Sequence, residues 1–283
     1  MGSDHPMGSD LPMGSDLPVG SDFEERDLEE CLAGFATTLG PSQPYRDPRP
    51  SERGLAAVAL GRAVSPGPDE PDAFVQLGFS HTDEVDSATG RRYTRYSGGA
   101  WGVVVVDLSA PARLVVEVPH PNSDLRTERM GAHLFRLVPG SVLLMAGAHR
   151  RAGHGAADVA HNEGSLFSAL AAEAANRRLP QVQLHGFADR NLPDVDAVVA
   201  TGGAAAVPAA ARVADRLRDA GLATSRSWEN PRGYLEGVGN VQARAAARAG
   251  SVFLHLELSW RVRGDPRLRS LAVEAIAAAG LLR

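Results

Sequence analysis

The sequence predicts an α/β chain, a three-layer αβα sandwich around a mostly parallel mixed sheet. Three observations predict it. From Trp101 onward, short runs rich in β-branched residues alternate with longer segments of helical period, the pattern of a sheet covered on both faces. One of these runs, Ser141 to Met145, is short and almost wholly apolar, as a buried strand is. Several runs end in His, Thr or Glu, and parallel α/β sheets bind ligands at the carboxyl ends of their strands.

The elements follow in order. The first 22 residues repeat MGSDHP, MGSDLP, MGSDLP and VGSD, too polar and too rich in Gly and Pro to pack, and read as a disordered tail. Residues 23–100 read as an extension that packs on the main domain, covering a side or edge of its sheet. Within it, Phe23 to Leu39 and Arg53 to Ala63 are predicted helices, and Pro41 to Pro50 is rich in turns. Asp83 to Tyr93 is a polar loop entering a strand. Residues 101–283 form the main domain. Gly102 to Leu108 and Leu114 to Val118 are predicted as adjacent strands joined through a Ser-Ala-Pro turn. Arg126 to Leu137 is a helix, Ser141 to Met145 a strand, Glu163 to Asn176 a helix and Val182 to His185 a strand. Ala197 to Thr201 is a strand, and Ala206 to Ala220 an amphipathic helix. Asn240 to Ala249 is a helix, Val252 to Leu258 a strand and Pro266 to Leu282 the closing helix.

Composition narrows the function. A chain of 283 residues with 43% apolar and 22% charged residues can bury a full core. No apolar run approaches the ~18 residues that span a bilayer. The start carries no basic region followed by an apolar stretch, so the expected location is cytoplasmic. A net charge of −5 offers no surface for nucleic acid or an anionic membrane. All 29 basic residues are Arg, which removes Lys as a base or Schiff-base residue. Cys31 is the single cysteine, so a zinc site here needs His and carboxylate ligands.

Such residues cluster at strand ends. His120 follows Leu114–Val118, with Asp124 four and Glu128 eight positions later. Imidazole and carboxylate suit a zinc site with an open position. Equally, Asp124 could cap the helix beginning near Arg126, with Glu128 aiding its first turn. His185 ends a strand before Gly186, where backbone can approach closely. A structural His satisfied by its neighbours is the alternative. Along Val252–Leu258 the apolar residues occupy one face, so Phe253, His255 and Glu257 share the other. A carboxylate there is costly unless it is paired, to Arg261 or Arg263, or works as a base. Arg150 could polarise a carbonyl or hold a carboxylate of substrate or protein. For His161 the roles are metal ligand, substrate contact or helix start.

The ordered set of segments resembles poly-γ-glutamate hydrolases. It comprises Leu184-His185-Gly186, Thr201-Gly202-Gly203, a helix, Gly239-Asn240-Val241-Gln242-Ala243-Arg244, and Leu254-His255-Leu256-Glu257-Leu258-Ser259 with Arg261 and Arg263. Those enzymes are zinc hydrolases related to the metallocarboxypeptidases and, more distantly, to N-formylglutamate amidohydrolases. Residues 72–280 also resemble a group of actinobacterial proteins, through residues 116–128 and 179–189. The resemblance implies a phosphorylase/hydrolase-like, zinc carboxypeptidase-like fold and a bound Zn2+. It implies His120, Asp124 and His185 as ligands and Glu257 as base, with Arg150 as the carbonyl-polarising residue. Asn240 and Arg244 fall in a segment that would touch substrate. The chain departs from the family at the first motif, where metallocarboxypeptidases place Glu three residues after the His; Glu128 and His161 are therefore alternates. The expected activity is hydrolysis of amide bonds in small acyl-amino acids or peptides with an acidic group, γ-glutamyl or cell-wall fragments among them. The rival expectation is a non-catalytic binding protein on the same fold.

Overall fold

The computed structural model describes residues 23–65 and 72–281, so the hexapeptide repeats and Leu282 lie outside the described residues. Among the described residues, ten strands form one sheet. They are β1 (Glu24–Arg26), β2 (Ser80–Asp86), β3 (Arg92–Ser97), β4 (Val103–Asp107), β5 (Leu114–Val118), β6 (Ser141–Met145), β7 (Gln181–Phe187), β8 (Ala197–Ala200), β9 (Thr224–Arg226) and β10 (Phe253–Ser259). Their order across the sheet is β1-β2-β3-β4-β6-β5-β7-β10-β8-β9. The central four, β6-β5-β7-β10, are parallel to one another. Antiparallel pairs flank them on both sides.

Helices cover both faces. On one face lie α1 (Leu28–Thr37), α4 (Thr127–Leu137), α6 (Pro208–Asp219), α8 (Trp260–Gly264) and α9 (Pro266–Ala278). On the other lie α2 (Pro50–Val64), α3 (Ala73–Gln76), α5 (Leu166–Asn176) and α7 (Val241–Ala249). The result is a three-layer α/β sandwich, as the alternation of runs predicts.

Period-2 alternation sorts the central strands sharply. Val182 and Leu184 of β7, and Leu254, Leu256 and Leu258 of β10, face α6 and α9 in the larger core. The intervening residues Gln183, His185, His255 and Glu257 therefore turn to the α5 and α7 side, joined by Glu117 of β5. Glu117, Gln183 and His255 are neighbours in register, and His185 faces Glu257 one step further along. Two polar rows thus cross a buried sheet face.

Several sequence expectations need correction. β4 and β5 are not adjacent, because the β5–α4–β6 crossover inserts β6 between them. Phe23 to Leu39 is not one helix: β1 comes first, and Asp27 then caps α1 by accepting from Glu30 N. Asp83 to Tyr93 is a hairpin rather than a loop, since β2 and β3 pair antiparallel. Its charged residues pair inside the sheet edge, Glu84 with Arg95 and Asp86 with Arg136. β8 runs antiparallel to β10, so Thr201-Gly202-Gly203 leaves toward the amino end of β10, away from the other strand ends. Among the described residues, no helix is long and apolar enough to cross a membrane.

Candidate metal centre

The first two donors come from one turn of chain. The backbone N–H groups of Ser123 and Asp124 donate to His120 O at 3.0 and 2.8 Å, closing a helical turn directly after β5. In such a turn residues i and i+4 lie on one face, which brings His120 and Asp124 together. Arg126, in the left-handed region at φ 76°, then separates this turn from α4. Asp124 does not cap α4; its carboxylate turns inward instead.

Asp124 Oδ2 lies 3.3 Å from His120 Nδ1 and 3.2 Å from His185 Nδ1. One donor atom from each of the three residues lies within 4.8 Å of the other two, and all three side chains are buried. The outer nitrogens are already engaged. His120 Nε2 donates to Asp158 Oδ1 at 2.8 Å, and His185 Nε2 to Gln183 Oε1 at 2.7 Å. Metal-ligating histidines characteristically donate their second ring N–H in this way. With Nε2 spent outward, two Nδ1 atoms and a carboxylate oxygen face one point. Two imidazoles and a carboxylate form the donor set of an open zinc site, so the residues present fit the ion.

Electrostatics agree with the geometry. Against the desolvation that burial imposes, the His120 hydrogen bond and the neighbouring His185 ring hold the Asp124 carboxyl well below the usual carboxylate range. His120 is likewise raised despite burial, by Asp124 and Asp158. Burial and the neighbouring His255 push His185 down to about 3, leaving its imidazole neutral.

Glu257 stands across from His185 in the parallel register of β10 and β7. Burial pushes its carboxyl up. Its Oε2 meets no hydrogen-bond partner among the described residues, and Oε1 faces His255 Nε2 at 3.5 Å. It pairs with neither candidate arginine: Arg261 binds Asp196, and Arg263 donates to the carbonyls of Leu258, Phe187 and Leu125. Arg263 thus ties together the three segments that carry Glu257, His185 and Asp124. Gly186 makes room for it, since a Cβ there would stand 2.1 Å from Arg263 Nε.

The remaining sequence candidates fall around this centre. Arg150 Nη2 donates to Asp158 Oδ2 at 2.6 Å, so its first partner is a protein carboxylate. His161 Nδ1 faces Asp158 Oδ1 at 3.1 Å and lies outside the three-donor group. Glu128 is buried in the first turn of α4, also outside that group. Asn240 is not available to a substrate: it is buried, it caps α7 through Ala243 N, and it donates to Gln183. Arg244 is exposed and donates to Gly239 O at 3.2 Å. Sequence reasoning gave no role to Asp158 or Gln183. For Gln183 the available signal was its place two residues before His185 on the same strand face.

No protein-family model matches the sequence, and no curated protein sequence matches it. Solved structures similar to the chain include a zinc-free form of YNDL, at 15% identity and a TM-score of 0.45 over 65% of this chain and 91% of that one. A metallo-carboxypeptidase from Burkholderia cenocepacia matches at 15% identity and a TM-score of 0.41, over 85% of this chain and 70% of the other. The LapA aminopeptidase of Legionella pneumophila matches at 10% identity and a TM-score of 0.38, over 98% and 79%.

Proposed function

We propose that this chain is a zinc-dependent hydrolase of amide bonds in small acyl-amino acids or peptides bearing an acidic group, of γ-glutamyl or cell-wall type. One observation carries the reading. His120, Asp124 and His185 turn three donors to one point, with both outer imidazole nitrogens already bonded and Glu257, whose Oε2 has no partner among the described residues, alongside. Zinc held by these residues would supply a Lewis acid and lower the pKa of water toward ~7.

The protein's own groups do the rest. Glu257 takes a proton from the attacking water at its free Oε2 and returns it to the departing amine nitrogen as the C–N bond breaks. A carboxyl raised by burial holds that proton better than an ordinary one. Arg150 spends Nη2 on Asp158, and its side chain is 34% exposed, leaving further N–H donors for a substrate carboxylate or the developing oxyanion. The rim supports the reading of an acidic substrate. His161 lies beside Gly239, whose carbonyl accepts from Arg244, so an imidazole and a guanidinium share that flank.

The reading is tested by elemental mass spectrometry on protein purified without chelator. Wild type should hold about one zinc per chain, and His120→Ala and His185→Ala should each lose it. Zinc-loaded wild type should then release amine from acyl-amino acid or γ-glutamyl substrates. A wild-type protein that takes up no zinc on incubation sinks the proposal.

A further inference from the structure

Gln183 precedes His185 by two residues on β7, so both side chains leave the same face of the strand. A glutamine amide can offer either its oxygen or its NH2 to a facing imidazole nitrogen, and the choice decides which ring nitrogen carries the proton. Two hydrogen-bond chains, each ending on the backbone, make that choice here. In the first, Ala243 N–H donates to Asn240 Oδ1 at 3.0 Å. That turns the Asn240 NH2 toward Gln183, where it donates to Oε1. In the second, Gln242 Nε2 donates to the Val159 carbonyl at 2.8 Å, a group that only accepts. Gln242 Oε1 is thereby left to accept from Gln183 Nε2 at 3.2 Å. Glu117 Oε2 accepts from the same Nε2 at 2.7 Å.

Reversing the Gln183 amide would set NH2 against NH2 at Asn240 and oxygen against oxygen at Gln242. Glu117, Gln183, Asn240 and Gln242 are each at most 1% exposed. In so dry a place mismatched polar groups are costly.

We propose that Gln183 is the positioning residue of His185, and that Asn240 anchors it in addition to capping α7. The relay claims the Nε2 proton of His185 and presents Nδ1, the atom beside Asp124 Oδ2, to the metal. Its purpose rests on the proposed zinc site; its hydrogen-bond pattern does not. The two histidine ligands then differ in kind. His120 is backed by a carboxylate, which raises a ligand's basicity, and His185 by an amide.

Asn240→Asp separates anchoring from capping. Asp serves as an N-cap about as well as Asn, so α7 keeps its first turn, but an oxygen now confronts Gln183 Oε1. Gln183→Leu removes the acceptor directly. The protein is labelled with 15N-histidine, stripped of metal, and read through ring nitrogen–proton couplings. Zinc affinity is measured separately by competition with a chromophoric chelator. Wild type should show His185 protonated at Nε2 and bare at Nδ1. Both variants should lose that pattern and bind zinc roughly 10–100-fold more weakly, with the helix content of metal-free Asn240→Asp unchanged. A proton on Nδ1 in wild type, or wild-type zinc affinity in Asn240→Asp, overturns the proposal. The Nε2 pattern, lost in Asn240→Asp but in a protein that binds no zinc, would support the relay and sink the hydrolase reading instead.

Discussion

Asp158 Oδ1 stands 2.8 Å from Nε2 of His120, on the far side of the ring from Asp124. The same carboxylate holds Arg150 at 2.6 Å and faces His161 at 3.1 Å. One side chain therefore orients a proposed metal ligand and gathers two basic groups beside it. Asp158→Ala is expected to weaken zinc binding roughly 10–100-fold and to raise KM for acidic substrates by freeing Arg150. Chelator competition checks the first effect and steady-state kinetics the second. Unchanged zinc affinity would show that His120 needs no such partner.

Glu257→Gln keeps the shape of the side chain and removes its ability to take a proton. Turnover is expected to fall by about 10²–10⁴-fold, the usual contribution of a positioned acid–base group, while zinc per chain stays at the wild-type value. Elemental analysis and amine release, run on one preparation, measure both. Wild-type turnover in this variant removes Glu257 from the chemistry.

Gly186→Ala places a methyl group 2.1 Å from Arg263 Nε. The guanidinium must then leave the carbonyls of Leu258, Phe187 and Leu125. Overpacking of this kind costs about 1–3 kcal/mol, and zinc affinity should fall too because Leu125 follows Asp124. Urea denaturation of metal-free protein reads the first effect. A wild-type midpoint would show that the clamp adjusts without loss.

Glu117 gives a pH signature. Burial pushes its carboxyl up to about 8 from an ordinary 4.5. Below the lower value the folded and unfolded chains both hold the proton, and the stability is fully present. Between the two values the unfolded chain ionises first, so stability falls as pH rises, and the loss is complete above the upper value. Glu117→Gln cannot titrate and should remove this decline, a difference of roughly a few kcal/mol between about pH 5 and pH 9. Equal slopes of unfolding free energy against pH in the two proteins would contradict it.

Much of this architecture is legible locally. The limits of β5 and β6 follow from their apolar runs, and alternation along β10 puts His255 and Glu257 on one face. The i to i+4 pair His120 and Asp124 was also visible, although the turn that joins them was not. Partners across the sheet were beyond local reading. The place of β6 between β4 and β5 depends on where a crossover returns, which no window of sequence contains. The β2–β3 hairpin looked like a loop because Glu84 and Asp86 are charged, and their partners Arg95 and Arg136 lie 11 and 50 residues away. Asp158 reaches His120 across 38 residues for the same reason.

The polar rows carry a further consequence. Side chains alternate between faces of a strand, so a slip of one residue in the pairing of β7 would turn Gln183 and His185 onto the leucine side and drive Leu184 toward Asp124. Only the correct pairing of β7 with β5 and β10 assembles the donors. A cation captured during folding would therefore proofread the sheet, retaining chains whose central strands are in step and giving no added stability to those out of step.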